Sequence, residues 1–304
     1  MNSARLAVID LGTNTFHLLV VEAKGNSWNE LYRERIFVNL AEDGIQMIGD
    51  TARERGLDAL RHFSHIIREH AVTDTMAVGT AALRTAKNAD QFVNDAQQEL
   101  GISIHVIDGQ KEAEYINAGV MRVVPDSQDN FLIMDIGGGS VEFILSSNYQ
   151  PVFSVSYPIG VAVLYDMFHH TEPMNASALD QMDQFLSHTM EDLSRAIGQF
   201  GTLGLVGASG TFEVIDSAVQ NNIGKEDYSR IEKEAFFNMY NRVVPMNFEE
   251  RQSDPTIPHT RTRYIVVALK LIEHVLTRFP ISDIGVSRYA LKEGIVREWQ
   301  SNLD

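Results

Sequence analysis

Leu6, Ala7, Val8 and Ile9 form an unbroken apolar run, the pattern of a strand buried on both faces. Asp10-Leu11-Gly12-Thr13-Asn14-Thr15 follows as a turn, and the apolar stretch 16–21 predicts a second strand. Asn26 and Asn29 mark another turn. Leu57, Leu60, Phe63 and Ile67 recur at helical spacing behind Thr51, which can cap a helix. Residues 76–78 read as a short strand leading into Gly79-Thr80-Ala81-Ala82-Leu83-Arg84. A helix near 88–100, a strand over 102–107 and a helix over 111–123 follow. After Pro125, the polar stretch Asp126-Ser127-Gln128-Asp129-Asn130 reads as a linker.

The second half resembles the first. It runs strand, glycine turn and strand across 131–156. One long amphipathic helix is predicted through Leu179, Met182, Phe185, Leu186, Leu193 and Ile197. The strand 203–206 then enters Gly207-Ala208-Ser209-Gly210-Thr211, and helices are predicted over 229–242, 263–278 and 289–299. Pro255 and Pro258 sit in a loop. Strands alternating with helices predict an α/β fold, in two domains, 1–124 and 125–304, with the last helix crossing back onto the first.

The 304 residues are 44% hydrophobic and 22% charged, which excludes disordered, collagenous and coiled-coil classes. Against 25 Lys and Arg stand 41 Asp and Glu, a net charge of −16. That field repels nucleic acids and anionic membrane surfaces, so phosphate must be bound locally, by backbone N–H groups, a few arginines or a metal. The absence of cysteine excludes disulfides, cysteine–zinc sites and thiol catalysis. No stretch reaches the ~18 apolar residues of a membrane span, and the expected location is the cytoplasm.

An internal repeat is the most informative feature. Val8-Ile9-Asp10-Leu11-Gly12-Thr13-Asn14-Thr15-Phe16 aligns with Ile133-Met134-Asp135-Ile136-Gly137-Gly138-Gly139-Ser140-Val141 at a constant offset of 125 positions. Each copy has an apolar strand ending in Asp, a Gly-containing turn and a hydroxyl residue before the next strand. Glycine allows close approach to a ligand, and successive N–H groups in such a turn form an anion-binding nest. The hydroxyls of Thr13, Thr15 and Ser140 add donors. The carboxylates of Asp10 and Asp135 repel phosphate directly but can hold a divalent cation whose other ligands are phosphate oxygens or water. One copy alone is an ordinary hairpin with a glycine turn; two matched copies point to phosphate gripped from opposite sides.

With these motifs the sequence resembles the exopolyphosphatase/guanosine pentaphosphate phosphatase (Ppx/GppA) family, within the sugar kinase–actin–chaperone ATPase superfamily. Asp10 to His17 resembles its first phosphate motif, with Thr where Ser is frequent, and Asp135 to Glu142 its second. Gly79 to Arg84, Gly109-Gln110-Lys111-Glu112-Ala113, Gly207 to Thr211, and Val286 to Gly294 resemble further family segments in family order. The resemblance implies two actin-like, ribonuclease H-like domains with mixed sheets around a central cleft. It implies hydrolysis of terminal phosphoanhydride bonds of inorganic polyphosphate with Mg2+ or another divalent cation. The substrate is polyphosphate or a guanosine polyphosphate, and the resemblance allows a homodimer.

The implied roles follow residue by residue. Gly12, Thr13, Asn14, Thr15, Thr80, Gly137, Gly138, Gly139, Ser140, Ser209, Gly210 and Thr211 bind substrate phosphate. Arg84 neutralises developing charge. Asp10, Asp135 and Glu142 hold the metal, with Asp135 and Glu142 also counted as catalytic. Glu112 orients or deprotonates the attacking water. On spacing alone, Glu112 reads as a solvated residue near a helix N-terminus, Gly207 to Thr211 equally as a strand-to-helix turn or as N–H groups that meet an anion, and Asn14 and Thr80 as phosphate contacts or as turn closers. His259, Arg261 and Arg263, with Arg251 nearby, form a local basic cluster that guides a phosphate tail or is a salt-bridged surface. His169-His170 lacks a third metal ligand.

The family's Arg-x-Asp near 261–268 has Arg263 at the Asp position, which bears on substrate preference. Longer relatives carry extra C-terminal helical domains, so a short, less processive form is expected. The other readings are a guanosine pentaphosphate 5′-phosphohydrolase, an ATPase or kinase of the superfamily, and a sensor that binds guanosine polyphosphate without hydrolysis.

Overall fold

The apolar run that opens the chain becomes the middle strand of a five-stranded sheet. The structure, a computed structural model, describes residues 4–25, 27–125, 130–208, 210–220 and 226–303. Its first elements are β1 (Arg5–Leu11), β2 (Thr15–Lys24), β3 (Ser27–Phe37), α1 (Asp50–Glu69), β4 (Asp74–Gly79), α2 (Ala81–Thr85), α3 (Ala89–Leu100), β5 (Ile104–Val106) and α4 (Gly109–Val120). The next are β6 (Asn130–Ile136), β7 (Val141–Ser147), β8 (Gln150–Tyr157), α5 (Val161–Phe168), α6 (Ala176–Thr189), α7 (Glu191–Ile197), β9 (Leu203–Ala208) and α8 (Gly210–Gln220). The last are β10 (Tyr228–Ile231), α9 (Lys233–Val243), α10 (Phe248–Ser253), α11 (Ile265–Arg278), β11 (Ile281–Ser287) and α12 (Leu291–Ser301).

The chain divides into two units. One takes residues up to Gly119, the turn Gly137–Gly139 and the stretch from Leu291 onward; the other takes Val120–Ile136 and Ser140–Ala290. The strand order of the first is β3-β2-β1-β4-β5, and of the second β10-β11-β9-β6-β7-β8. In the first, β1 is antiparallel to β2 and parallel to β4, and β4 is parallel to β5. In the second, β6 is antiparallel to β7 and parallel to β9, and β9 is parallel to β11. The duplication read from nine residues thus extends to whole ribonuclease H-like sheets, with β10 added at one edge.

Each sheet buries its own core. Ile9, Leu11, Phe16, Leu60, Phe63 and Phe92 pack together in the first unit. Phe143, Leu186, Phe212, Phe236 and most of α11 pack in the second. Helix α11 is buried nearly all round, with its enclosed Lys270 and His274 paired to Asp183. Helix α12 joins the first unit through a fully buried Glu293, whose Oε1 accepts from Arg33 Nη2 at 2.8 Å. Its Gly294 lies so close to α4 that an added Cβ would fall 1.9 Å from the carbonyl oxygen of Tyr115. The helix that carries Glu112 is therefore backed by α12.

Several expectations are corrected. Asn29 lies inside β3 rather than in a turn; the chain reverses at Gly25, whose φ of 55° suits glycine. Asn26 and linker residues 126–129 lie outside the described residues. The N-cap of α1 is Gly49, not Thr51. The single helix expected through 179–197 is broken at Met190 into α6 and α7; its apolar period continues across the break, and neither Gly nor Pro signals it. The helix expected from 229 is preceded by β10, because residues 228–231 pair with β11 before Lys233 starts α9. Among the described residues, no helix is long and apolar enough to cross a membrane.

Candidate active site

In the first unit the predicted site residues gather where three parallel strands end. Leu11 of β1 lies beside Gly79 of β4, and Gly79 beside Val106 of β5. The loops leaving those ends carry Gly12 to Asn14, Thr80 with Arg84, and Glu112. Carboxyl ends of parallel strands are the usual ligand edge of α/β sheets. Thr80 is buried, and both its N and its Oγ1 reach the carbonyl of Leu11, at 3.3 and 3.4 Å. It ties the second loop to the first.

The glycine turn of the second copy of the repeat lies at this edge. The turn Gly137–Gly139 groups with the first unit. A Cβ at Gly138 would lie 2.8 Å from both Thr13 Cβ and Asn14 Cγ. At Gly139 it would lie 2.9 Å from Ala81 Cβ and from Thr13 Oγ1. Only glycine lets the turns approach this closely. Thr13 and Asn14 are 2% and 6% exposed, and Thr13 Oγ1 and Asn14 Oδ1 have no hydrogen-bond partner. A buried polar atom left unpaired costs about 1–3 kcal/mol, so these groups fit a bound ligand that supplies partners.

Glu112 sits in the first turn of α4, and its Oε2 accepts from Arg84 Nη1 at 3.0 Å. The same Nη1 donates to the carbonyl of Ile107 at 2.8 Å. Two residues expected to act on one phosphoryl group are thus held together. Only one nitrogen of the Arg84 fork is used in these bonds, which leaves N–H groups for an anion.

In the second unit, Asp135 and Glu142 are directly opposed across the β6–β7 ladder. Their counterparts at the repeat offset, Asp10 and His17, are opposed across β1 and β2. Like charges facing each other across a ladder oppose folding unless countered. Glu142 is 1% exposed and accepts from Ser140 Oγ and Ser156 Oγ, both at 2.7 Å. Ser156 was not picked out from the sequence; its only signal is its register opposite Glu142 on β8. Among the described residues no three His, Asp or Glu side chains form a metal-holding group. Mg2+ commonly takes one or two carboxylates and completes its shell with water and phosphate, so the opposed pair fits it.

Thr211 is buried in the first turn of α8, beside Gly210 at the end of β9. Ser209 lies outside the described residues. Thr15 opens β2, with its carbonyl accepting from Gly12 N at 3.2 Å.

The basic cluster resolves into separate roles. Arg251 is fully buried, donating to the carbonyls of Met246 and Thr262 and to Glu172. It guides no phosphate tail. Arg263 lies over the ring of Tyr165, 4.8 Å from its centroid. His169 is buried, which holds its imidazole below the usual range, and His170 is exposed; they form no metal pair.

The profile of the Ppx/GppA phosphatase family matches residues 19–303. A provisionally named exopolyphosphatase of Haemophilus influenzae is 27% identical, over 99% of this chain and 93% of its own length. A guanosine-5′-triphosphate,3′-diphosphate pyrophosphatase of Photobacterium profundum is 28% identical over 98% of this chain, which spans 59% of that protein's length. The crystal structure of an exopolyphosphatase from Cytophaga hutchinsonii is 34% identical, covers 98% of both chains and superposes with a TM-score of 0.94.

Proposed function

Since the chain belongs to the Ppx/GppA phosphatase family, we propose that it hydrolyses the terminal phosphoanhydride bond of inorganic polyphosphate and releases orthophosphate. The observation that carries this reading is the pair of buried, partnerless side chains, Thr13 and Asn14, under the turn Gly137–Gly139. Hydroxyl, carboxamide and glycine-turn N–H groups are neutral donors, suited to an anion that a chain of net charge −16 does not attract from afar.

The chemistry is mostly positioning and charge stabilisation. Thr13, Asn14 and the glycine turn hold the terminal phosphoryl oxygens. Arg84 offers its unused N–H groups to the charge that builds on those oxygens. Glu112, fixed by Arg84, orients a water for in-line attack and takes its proton. The water oxygen bonds to the terminal phosphorus, the bridging P–O bond breaks, and the shortened chain leaves. Asp135 and Glu142 stand two residues before and three residues after the glycine turn, where they would hold Mg2+. That ion would neutralise phosphate charge.

A guanosine pentaphosphate 5′-phosphohydrolase is the second reading, favoured by the name of the Photobacterium profundum relative. Phosphate release from tripolyphosphate, long-chain polyphosphate, guanosine pentaphosphate and ATP, with Mg2+ and with a chelator, tests both. We expect the highest kcat/KM on polyphosphate and loss of release on chelation. Strong preference for guanosine pentaphosphate would support the second reading, and selective turnover of ATP would contradict both.

A further inference from the structure

Asn39 follows β3 and carries no motif. Its φ is 52°, in the left-handed region that favours glycine. The backbone is held there from three sides. Asn39 N donates to the carbonyl of Asn14 at 2.9 Å, and Glu42 N donates to the Asn39 carbonyl at 3.2 Å. Arg55 Nη2 donates to the same carbonyl at 3.3 Å. The side chain is the opposite case. It is 8% exposed, and Oδ1 is buried with no hydrogen-bond partner.

Thr13 and Asn14 share that state, and the backbone joins all three: Val38 N also donates to the Asn14 carbonyl, and Leu40 N to that of Thr13. Three buried polar side chains without partners thus lie on two loops that these backbone bonds hold side by side. A residue that bears both an unfavourable backbone conformation and an unpaired buried amide points to a functional constraint. If only the turn mattered, glycine would serve better.

We propose that Asn39 is a third side chain of the phosphate cradle, its carboxamide donating through Nδ2 to a non-bridging oxygen of the bound phosphate chain. A half-turn about Cβ–Cγ exchanges Oδ1 and Nδ2, so the donor can take the buried position that Oδ1 occupies. The inference rests on the polyphosphate reading and adds a binding contact to it. Asn39 binds the chain without entering the bond-breaking step, so its loss acts on KM.

Asn39→Gly separates this role from a structural one, because glycine accepts the backbone and removes only the amide. Tripolyphosphate hydrolysis and calorimetric titration of tripolyphosphate are measured on the wild type, N39G and N39D. N39G should raise both KM and Kd about tenfold, leave kcat within about twofold, and melt no lower than the wild type. N39D keeps the shape and adds a negative charge, so it should bind more weakly than N39G. Wild-type KM and Kd in N39G would overturn the proposal while leaving the polyphosphate reading intact. A wild type that neither binds nor cleaves tripolyphosphate would overturn both.

Discussion

Glu112→Ala is expected to lower kcat for phosphate release by about 10²–10⁴-fold, the usual contribution of a positioned acid–base group. The fold should survive. Glu112 lies on the first turn of α4, buried at 7% exposure but not itself part of the apolar cluster of its unit, and alanine there keeps the helix. Its partner Arg84 keeps its bond to the Ile107 carbonyl and is 26% exposed, so it can rehydrate. The expected signature is a collapse in kcat with little change in thermal midpoint and with tripolyphosphate binding retained. Release at the wild-type rate would remove Glu112 from the mechanism. Loss of binding together with rate would mean that it holds Arg84 in place and does no more.

Gly139→Ala should be nearly as damaging for a different reason. The added methyl would stand 2.5 Å from Ile45 Cδ1 and 2.9 Å from Ala81 Cβ and Thr13 Oγ1. The isoleucine terminus can swing away, but Ala81 is fixed in α2 and Thr13 in a turn. The glycine turn must therefore lift off Thr13. Displacement of a binding loop by about 1 Å can cost ~10²-fold in rate, so kcat/KM should fall by at least that order. Overpacking should also lower stability by about 1–3 kcal/mol, read from a urea midpoint. Full activity in this variant would contradict the close apposition of the two turns.

Much of this was legible because it is local. An apolar strand, an Asp, a glycine turn and a second strand define their own register. Asp10 therefore falls opposite His17 and Asp135 opposite Glu142 by the same count. The strand order that follows the duplication was not readable from spacing. It arises when sheets close through parallel pairings such as Leu11 beside Gly79.

The ion pair of Arg84 with Glu112 was hidden for the same reason. It exists because β4 and β5 lie side by side and end together. Asn39 was hidden more completely. Nothing local distinguishes an ordinary loop asparagine from one whose amide is buried without a partner against a loop far upstream. Arg251 misled in the other direction. Its neighbours in sequence are basic, but its guanidinium is wholly enclosed and satisfied by two carbonyls and Glu172.

The most direct test of a site that cleaves phosphate chains from their ends is a 31P NMR time course on long-chain polyphosphate with Mg2+. The account predicts that orthophosphate grows as the interior-phosphate signal falls, while the end-group signal stays level until the chains are nearly consumed. A rise in end groups, which marks cleavage within the chain, or an absence of orthophosphate would contradict it.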